Sequence, residues 1–377
     1  MNSVLAGLTY RLTITLLTVL LTATLANSRQ TGIELSRSIA EKATQPTNDW
    51  PLPPKGPAAL AGKTIVYIGE DLRNAGILGV GTGVREAGAA IGWKVHFLDI
   101  GSKDSRRETI FKEALALKPN GLILGGMDGV ANSGYLTEFR TAGIPIVGWH
   151  VAPFPGPVAG TPIQVNVTTD SLEVARVAAH FVIADSAGSA ATVIFTDSRF
   201  AIALKKSETM AEVIRSCHGC SVLEVRDIAL DKVTMEMPAA TEALLKKYGS
   251  RWNYSLGIND LYFDHAIPAL VLNGQAPDGP PFSISAGDGS PSAFLRIQNN
   301  SYQKATVPEP LLFHGWQLID EMNRLLSGQG PSSYVTPPHI VTQANIWPGT
   351  DRINLFDPEN GYREFYLHNW GRTQLRK

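Results

Sequence analysis

Two short apolar runs end in polar clusters whose residue types could hold a small polar molecule. YSLGI runs into Asn259 and Asp260, and FSISA runs into Asp288, which is flanked by Gly287 and Gly289. An amphipathic helical pattern follows each cluster. In an open α/β sheet, ligands settle just beyond the carboxyl ends of the strands, where these side chains stand. Carboxylates there form hydrogen bonds worth about 1.5–3 kcal/mol to a polyhydroxylated ligand. Asp also caps helices, so Asp260 and Asp288 carry a second reading as N-caps, and capping is the expected role of Asp128. The glycines around Asp288 instead indicate a tight turn open to a ligand.

The elements that would position these residues alternate from residue 63 onward. Strand patterns cover 63–69 (KTIVYIG), KVHFLDI, GLILGG and IPIVGWHV, separated by helical patterns over 75–91, 105–117 and 130–142. The plan then repeats. Helices are expected over 170–186, 200–216, 236–248, 261–273 and 290–299, between the strands ATVIFTD, SVLEV, SLGIN and FSISAGD. Alternation of this kind specifies right-handed βαβ units and a parallel sheet. Two half-chains of one plan imply two doubly wound lobes, as does a length beyond what one core usually holds.

Residues 1–26 hold Arg11, the run LTITLLTVLLTATLA and small residues at Thr24-Leu25-Ala26. This is the pattern of a cleavable export signal, with a mature start near Asn27. The run is too short and too rich in Thr for a membrane span. Residues 27–62 are polar and Pro-rich (QPTNDWPLPPKGP) and read as a tether or wrapped extension. A formal net charge of −1 with interspersed signs excludes a basic nucleic-acid footprint. The two cysteines, Cys217 and Cys220, follow a helix and precede a strand. A redox pair starts a helix, and a zinc site needs further ligands, so a small structural disulfide is expected.

The ordered set of segments resembles the type I periplasmic binding proteins, the ribose- and galactose-binding group that serves ABC importers. The resemblance covers roughly 63–345 and is carried by GVREAGAAIGWKVHFLD, LKPNGLILGGMDGV, AGIPIVGWH and NVTTDSLEVARVAAHFV. INDLYFDHAIPAL and ISAGDGSPSAF are its most specific pair, and ATVPEPLLFHGWQLIDEM closes the pattern. It implies two doubly wound lobes joined by a three-strand hinge. Residues 63–165 and 310–335 would form the first lobe, and 166–309 and 336–377 the second.

The family's contact loops map onto this chain position by position. After the first strand come Glu70, Asp71, Arg73 and Asn74, where sugar binders of the family often show paired aromatics. Trp149 and His150 stand where the family often has Asp-Arg, and strand alternation allows one of the two to face the cleft easily. The second lobe offers Arg199, Phe200, Asn259, Asp260 and Asp288, and Glu309 falls where a Gln or similar residue is common. Arg199 has a competing reading as a surface partner of Asp197. These departures leave a modified sugar, a polyol or another small polar metabolite as the ligand.

Other classes lack their signatures. Gly76, Gly79, Gly81 and Gly83 begin well inside the first helix instead of in the turn after the strand, so a dinucleotide fingerprint is excluded and tight helix packing is expected. There is no G-x-S-x-G elbow and no H-E-x-x-H. The expectation is a monomeric, exported binding protein without catalytic residues, cofactor or metal. Its partners would be a small polar ligand and an ABC permease, or a membrane receptor or histidine kinase if it serves sensing.

Overall fold

The computed structural model describes residues 30–346 and 355–372. The first lobe is built on a five-stranded parallel sheet, ordered β2-β1-β3-β4-β5. Its strands are β1 (Thr64–Gly69), β2 (Lys94–Asp99), β3 (Gly121–Gly125), β4 (Ile146–Trp149) and β5 (Ile163–Val167). Ile65 to Ile68 are fully buried because helices cover both faces, which is why the run reads as continuously apolar. Helix α2 (Ala75–Ile91) starts where Asn74 Oδ1 accepts from the Gly76 and Ile77 amides, and it stops at Gly92 in the left-handed region. Helix α3 (Asp104–Ala116) follows β2. The helix expected over 130–142 shrinks to a 3-10 turn at Ser133–Leu136 and α4 (Thr137–Thr141). Asp128 supplies the turn before it, accepting from Val130 N and Ala131 N at 2.9 Å each.

The second lobe's sheet runs β11-β10-β9-β8-β6-β7. The strands are β6 (Ala191–Thr196), β7 (Ser221–Asp227), β8 (Tyr254–Gly257), β9 (Phe282–Ser285), β10 (Gln303–Thr306) and β11 (Val341–Thr342). All pair in parallel except β10 with β11. Helices α5 (Ser171–Asp185), α6 (Ala201–Ser216), α7 (Val233–Tyr248), α8 (Leu261–Leu272) and α9 (Pro291–Gln298) enclose it. Cys217 and Cys220 form a disulfide, Cα–Cα 5.3 Å, in the turn between α6 and β7.

Helix α10 (Leu311–Leu326) returns the chain to the first lobe and lies against α2. A Cβ on Gly83 would strike the Leu312 backbone, and one on Gly315 would strike Val80 and Val84. Gly83 is thus explained by backbone-to-backbone packing of α2 on α10, while Gly79 makes room for the Leu311 side chain and Gly81 for Phe97 and Tyr67. Three segments connect the lobes: Thr168–Thr169 after β5, Val307–Pro310 after β10, and the extended chain after α10 that leads to β11.

The two ends of the chain depart from the expected organisation. Residues 30–43 form a helix, α1, seated on the second lobe through Ile33 and Ala43, with Ser36 Oγ 3.0 Å from His180 Nδ1. From there the extension crosses to the first lobe, where Asn323 Nδ2 donates to Pro57 O and Trp93 Nε1 to Leu60 O. The tail was expected in the second lobe from residue 336 onward. Val341 and Phe356 do pack there, but α11 (Tyr362–Asn369) packs on the first lobe. Tyr362 stacks on Phe313 at 4.3 Å and Trp370 on Trp316 at 5.5 Å, so aromatic residues spaced by four cover the outer face of α10. The expected export signal lies outside the described residues. No helix among the described residues is long and apolar enough to cross a membrane.

Candidate functional site

A cavity of about 260 Å³ opens between the carboxyl edges of the two sheets. The first lobe contributes Glu70, Asp71, Arg73 and Asn74 after β1, Trp149 at the end of β4 and His150 just after it. The second contributes Arg199 and Phe200 after β6, Asn259 after β8 and Asp288 after β9. The lobes touch at the floor. An ideal Cβ on Gly76 would lie 2.5 Å from Asp288 Oδ2, so this carboxylate of the second lobe abuts the first turn of α2. The positive end of that helix favours a carboxylate there.

Asp288 is buried, and its Oδ2 accepts from Asn259 Nδ2 at 2.7 Å. Burial raises its pKa, against the opposing charges of His150 and Lys206. It does not cap α9, because Ser290 Oγ does so through Ala293 N. Lys206 projects from α6 into the same region, donating to Ala286 O at 2.8 Å. At the mouth the charges are already matched within each lobe. Arg73 Nε donates to Asp71 at 2.9 Å, and Arg199 donates to Asp197 while pairing with Asp231 at 2.6 Å. Burial acts to raise the Asp71 pKa, but the Arg73 hydrogen bonds outweigh it and hold the carboxyl below its ordinary value.

Behind the cavity, a second polar cluster joins all three connecting segments. Glu309 Oε1 lies 3.1 Å from His150 Nε2, and Oε2 accepts from Thr169 N at 3.1 Å. His314 Nδ1 sits 3.4 Å from Glu309 Oε2, and its Nε2 is 2.8 Å from Thr336 Oγ1. Thr336 in turn meets Thr169 Oγ1 at 2.6 Å. Burial acts to raise the Glu309 carboxyl, but His150 and His314 bring it down to about 2. Burial lowers His314 to about 4, against the pull of Glu309.

The comparisons with known proteins decide what frame this geometry belongs to. A family model described as a periplasmic binding protein domain matches residues 65–330. The chain belongs to the periplasmic binding protein family. The fold agrees with several solved structures. One is an ABC sugar transporter subunit from Rhodobacter sphaeroides 2.4.1, 19% identical, covering 75% of this chain and 99% of that one at a TM-score of 0.65. Another is the arabinose ABC transporter's periplasmic binding protein from Shewanella sp. ANA-3, 14% identical, covering 83% and 100% at 0.67. A third is the 5-methylthioribose transporter solute binding protein from Thermotoga lettingae TMO, 16% identical, covering 83% and 95% at 0.66. No curated protein matches the sequence. Family members and these neighbours are substrate-binding proteins and not enzymes, and the family is periplasmic.

Within this periplasmic binding protein, most of the expected residues meet at the cavity, and two do not. Asp71, Arg73, Asn74, Trp149, His150, Arg199, Phe200, Asn259 and Asp288 all line it. Asp260 and Glu309 are not among its lining residues. Asp260 neither faces the cavity nor caps α8 with its side chain. It is buried and accepts from Gly289 N at 2.9 Å and Gln303 Nε2 at 2.8 Å, bracing the loop that carries Asp288. Burial pushes its carboxyl up to about 6 despite these donors. Glu309 belongs to the cluster between the lobes. Trp149 and His150 both reach the cavity wall, contrary to simple alternation. The strand ends at Trp149, and His150 takes a left-handed backbone (φ 52°) that stacks its ring on the indole at 3.8 Å. Lys206 was missed. The available signal was a lysine on the buried stripe of α6, between Ala203 and Met210.

Proposed function

We propose that this protein captures a small sugar or polyol between its lobes and delivers it to the permease of an ABC importer. The reading is supported chiefly by the cavity floor. Asp288, Asn259, Lys206 and His150 converge there from both lobes and keep hydrogen-bonding capacity that no other described residue uses. A carboxylate accepts about four hydrogen bonds, and the one from Asn259 leaves room for ligand hydroxyls. Closure of the lobes over the ligand would present one surface, built from both lobes, to the importer. Neighbours of the same fold are described with bound allitol, myo-inositol and 5-methylthioribose. The monomer acts alone in this reading, and the nine lining residues expected from sequence contact the ligand.

A thermal-shift panel tests the proposal: ribose, arabinose, galactose, allitol, myo-inositol and 5-methylthioribose against amino acids and small organic acids. A ligand at about 100 times its Kd adds roughly 2.7 kcal/mol, a clear rise in Tm. Shifts confined to the carbohydrates support the reading. Shifts confined to amino acids or organic acids overturn it.

A further inference from the structure

The cavity is not polar throughout, and its two characters follow the order of the strands. Three of the groups with unused hydrogen-bonding capacity come from the strands nearest the connecting segments, His150 after β4, Asp288 after β9 and Asn259 after β8, and Lys206 joins them by reaching from α6 to Ala286 O. The opposite wall comes from the far strands β6 and β7. It presents Phe200, Ile202, Leu230 and Val233, with Ile77 of α2 and Leu261 of α8 beside them. The polar residues in that half are already engaged. Asp231 is held by Arg199 at 2.6 Å, and Thr234 Oγ1 lies 3.3 Å from His265 Nε2.

The aromatic faces are engaged as well. His150 stacks on Trp149 at 3.8 Å, and the Arg199 guanidinium lies 5.7 Å from the Phe200 centroid. What remains on this wall is mainly aliphatic methyl surface, which suits an alkyl or thioether group better than the flat face of a sugar ring. With Arg73 and Arg199 each matched to aspartates, the outer half offers no uncommitted arginine to a phosphate or carboxylate substituent.

We infer that the ligand is a pentose-sized sugar or polyol carrying a small uncharged apolar substituent, with its hydroxyls on the Asp288 side and the substituent against Ile202, Leu230 and Val233. This rests on the carbohydrate reading above and specifies it. Each methylene buried on that wall strengthens binding about fourfold, whereas a hydroxyl placed there loses its water partners without replacement.

Calorimetric titration with matched probes separates the possibilities: ribose, 5-deoxyribose and 5-methylthioribose on the intact protein and on Ile202→Thr. The expected result is 5-methylthioribose bound at least tenfold tighter than ribose, with 5-deoxyribose between them. Ile202→Thr should narrow that gap, because it removes apolar surface from under the substituent and weakens 5-methylthioribose more than ribose. Ribose binding as tightly as 5-methylthioribose overturns the substituent and leaves the carbohydrate reading standing. If none of the three binds and no other sugar shifts the Tm, both fall together.

Discussion

Glu309 and Asp288 are both carboxylates taken out of water where the two lobes meet, yet their surroundings differ. Glu309 is enclosed by Thr169 N, His150 and His314, and through Thr336 the cluster ties together the segments that connect the lobes. The Asp288 carboxylate accepts from Asn259 alone among the described residues, and it faces the cavity. A fully satisfied buried cluster rigidifies its neighbourhood, whereas one with spare acceptors is poised for a partner. The pair therefore separates the part of the molecule that joins the connecting segments from the part that, in the proposed function, reads the ligand.

The largest expected effect that would break this comparison is on folding. Glu309→Ala leaves Thr169 N and His150 Nε2 without their buried partner, and should cost about 3–5 kcal/mol in urea denaturation. Asp288→Ala should cost much less in the same assay. Equal losses would dissolve the distinction.

Acid should act on the two clusters with opposite sign. His314 is lowered to about 4, so its contribution is complete above its ordinary value near 6.5 and is lost as pH falls towards 4. Glu309, lowered to about 2, loses its contribution between about 4.5 and 2. His339, also lowered to about 4 by burial, adds to the first window. Asp288 is raised, so its protonation on acidification favours the folded state instead. Below pH 6.5 each such histidine therefore contributes a fall in stability of up to about 1.4 kcal/mol per pH unit, opposed in the same range by Asp260, which burial raises to about 6, and by the raised carboxyls of Asp288, Asp320 and Glu321. His314→Gln should flatten the upper part of that curve, read as Tm against pH; an unchanged slope would contradict the assignment.

A smaller effect sharpens the ligand-reading side. Gly76→Ala places a methyl against the Asp288 carboxylate and must push the lobes apart there. The expectation is a penalty of about 1–3 kcal/mol that falls on ligand affinity, with the Tm of the free protein little changed. Loss of Tm without loss of affinity would move Gly76 to a packing role.

The sheet strands were legible because fully buried parallel strands write continuous apolar runs, as at Ile65–Ile68 and Val193–Phe195. Helix α1 was not legible, since its buried stripe of Ile33, Ser36, Ala40 and Ala43 is narrow and a Pro-rich stretch follows it. Strands β10 and β11 are four and two residues long and carry little pattern. At the site, the rule that ligands meet strand ends picked out Asp288 and Asn259, which line the cavity. The same rule drew in Asp260 and Glu309, because a residue after a strand can brace a loop or a hinge as readily as face a cleft. Lys206 escaped for the converse reason: it reaches the cavity from a helix.

The most direct measurement is calorimetric titration of the intact protein and of Asp288→Ala with the tightest-binding member of the carbohydrate panel. Asp288→Ala should weaken binding by about 1–3 kcal/mol, roughly 5- to 150-fold, while the free variant keeps a near-native Tm. Unchanged affinity would contradict the account and leave Asp288 as a contact between the lobes with no part in reading the ligand.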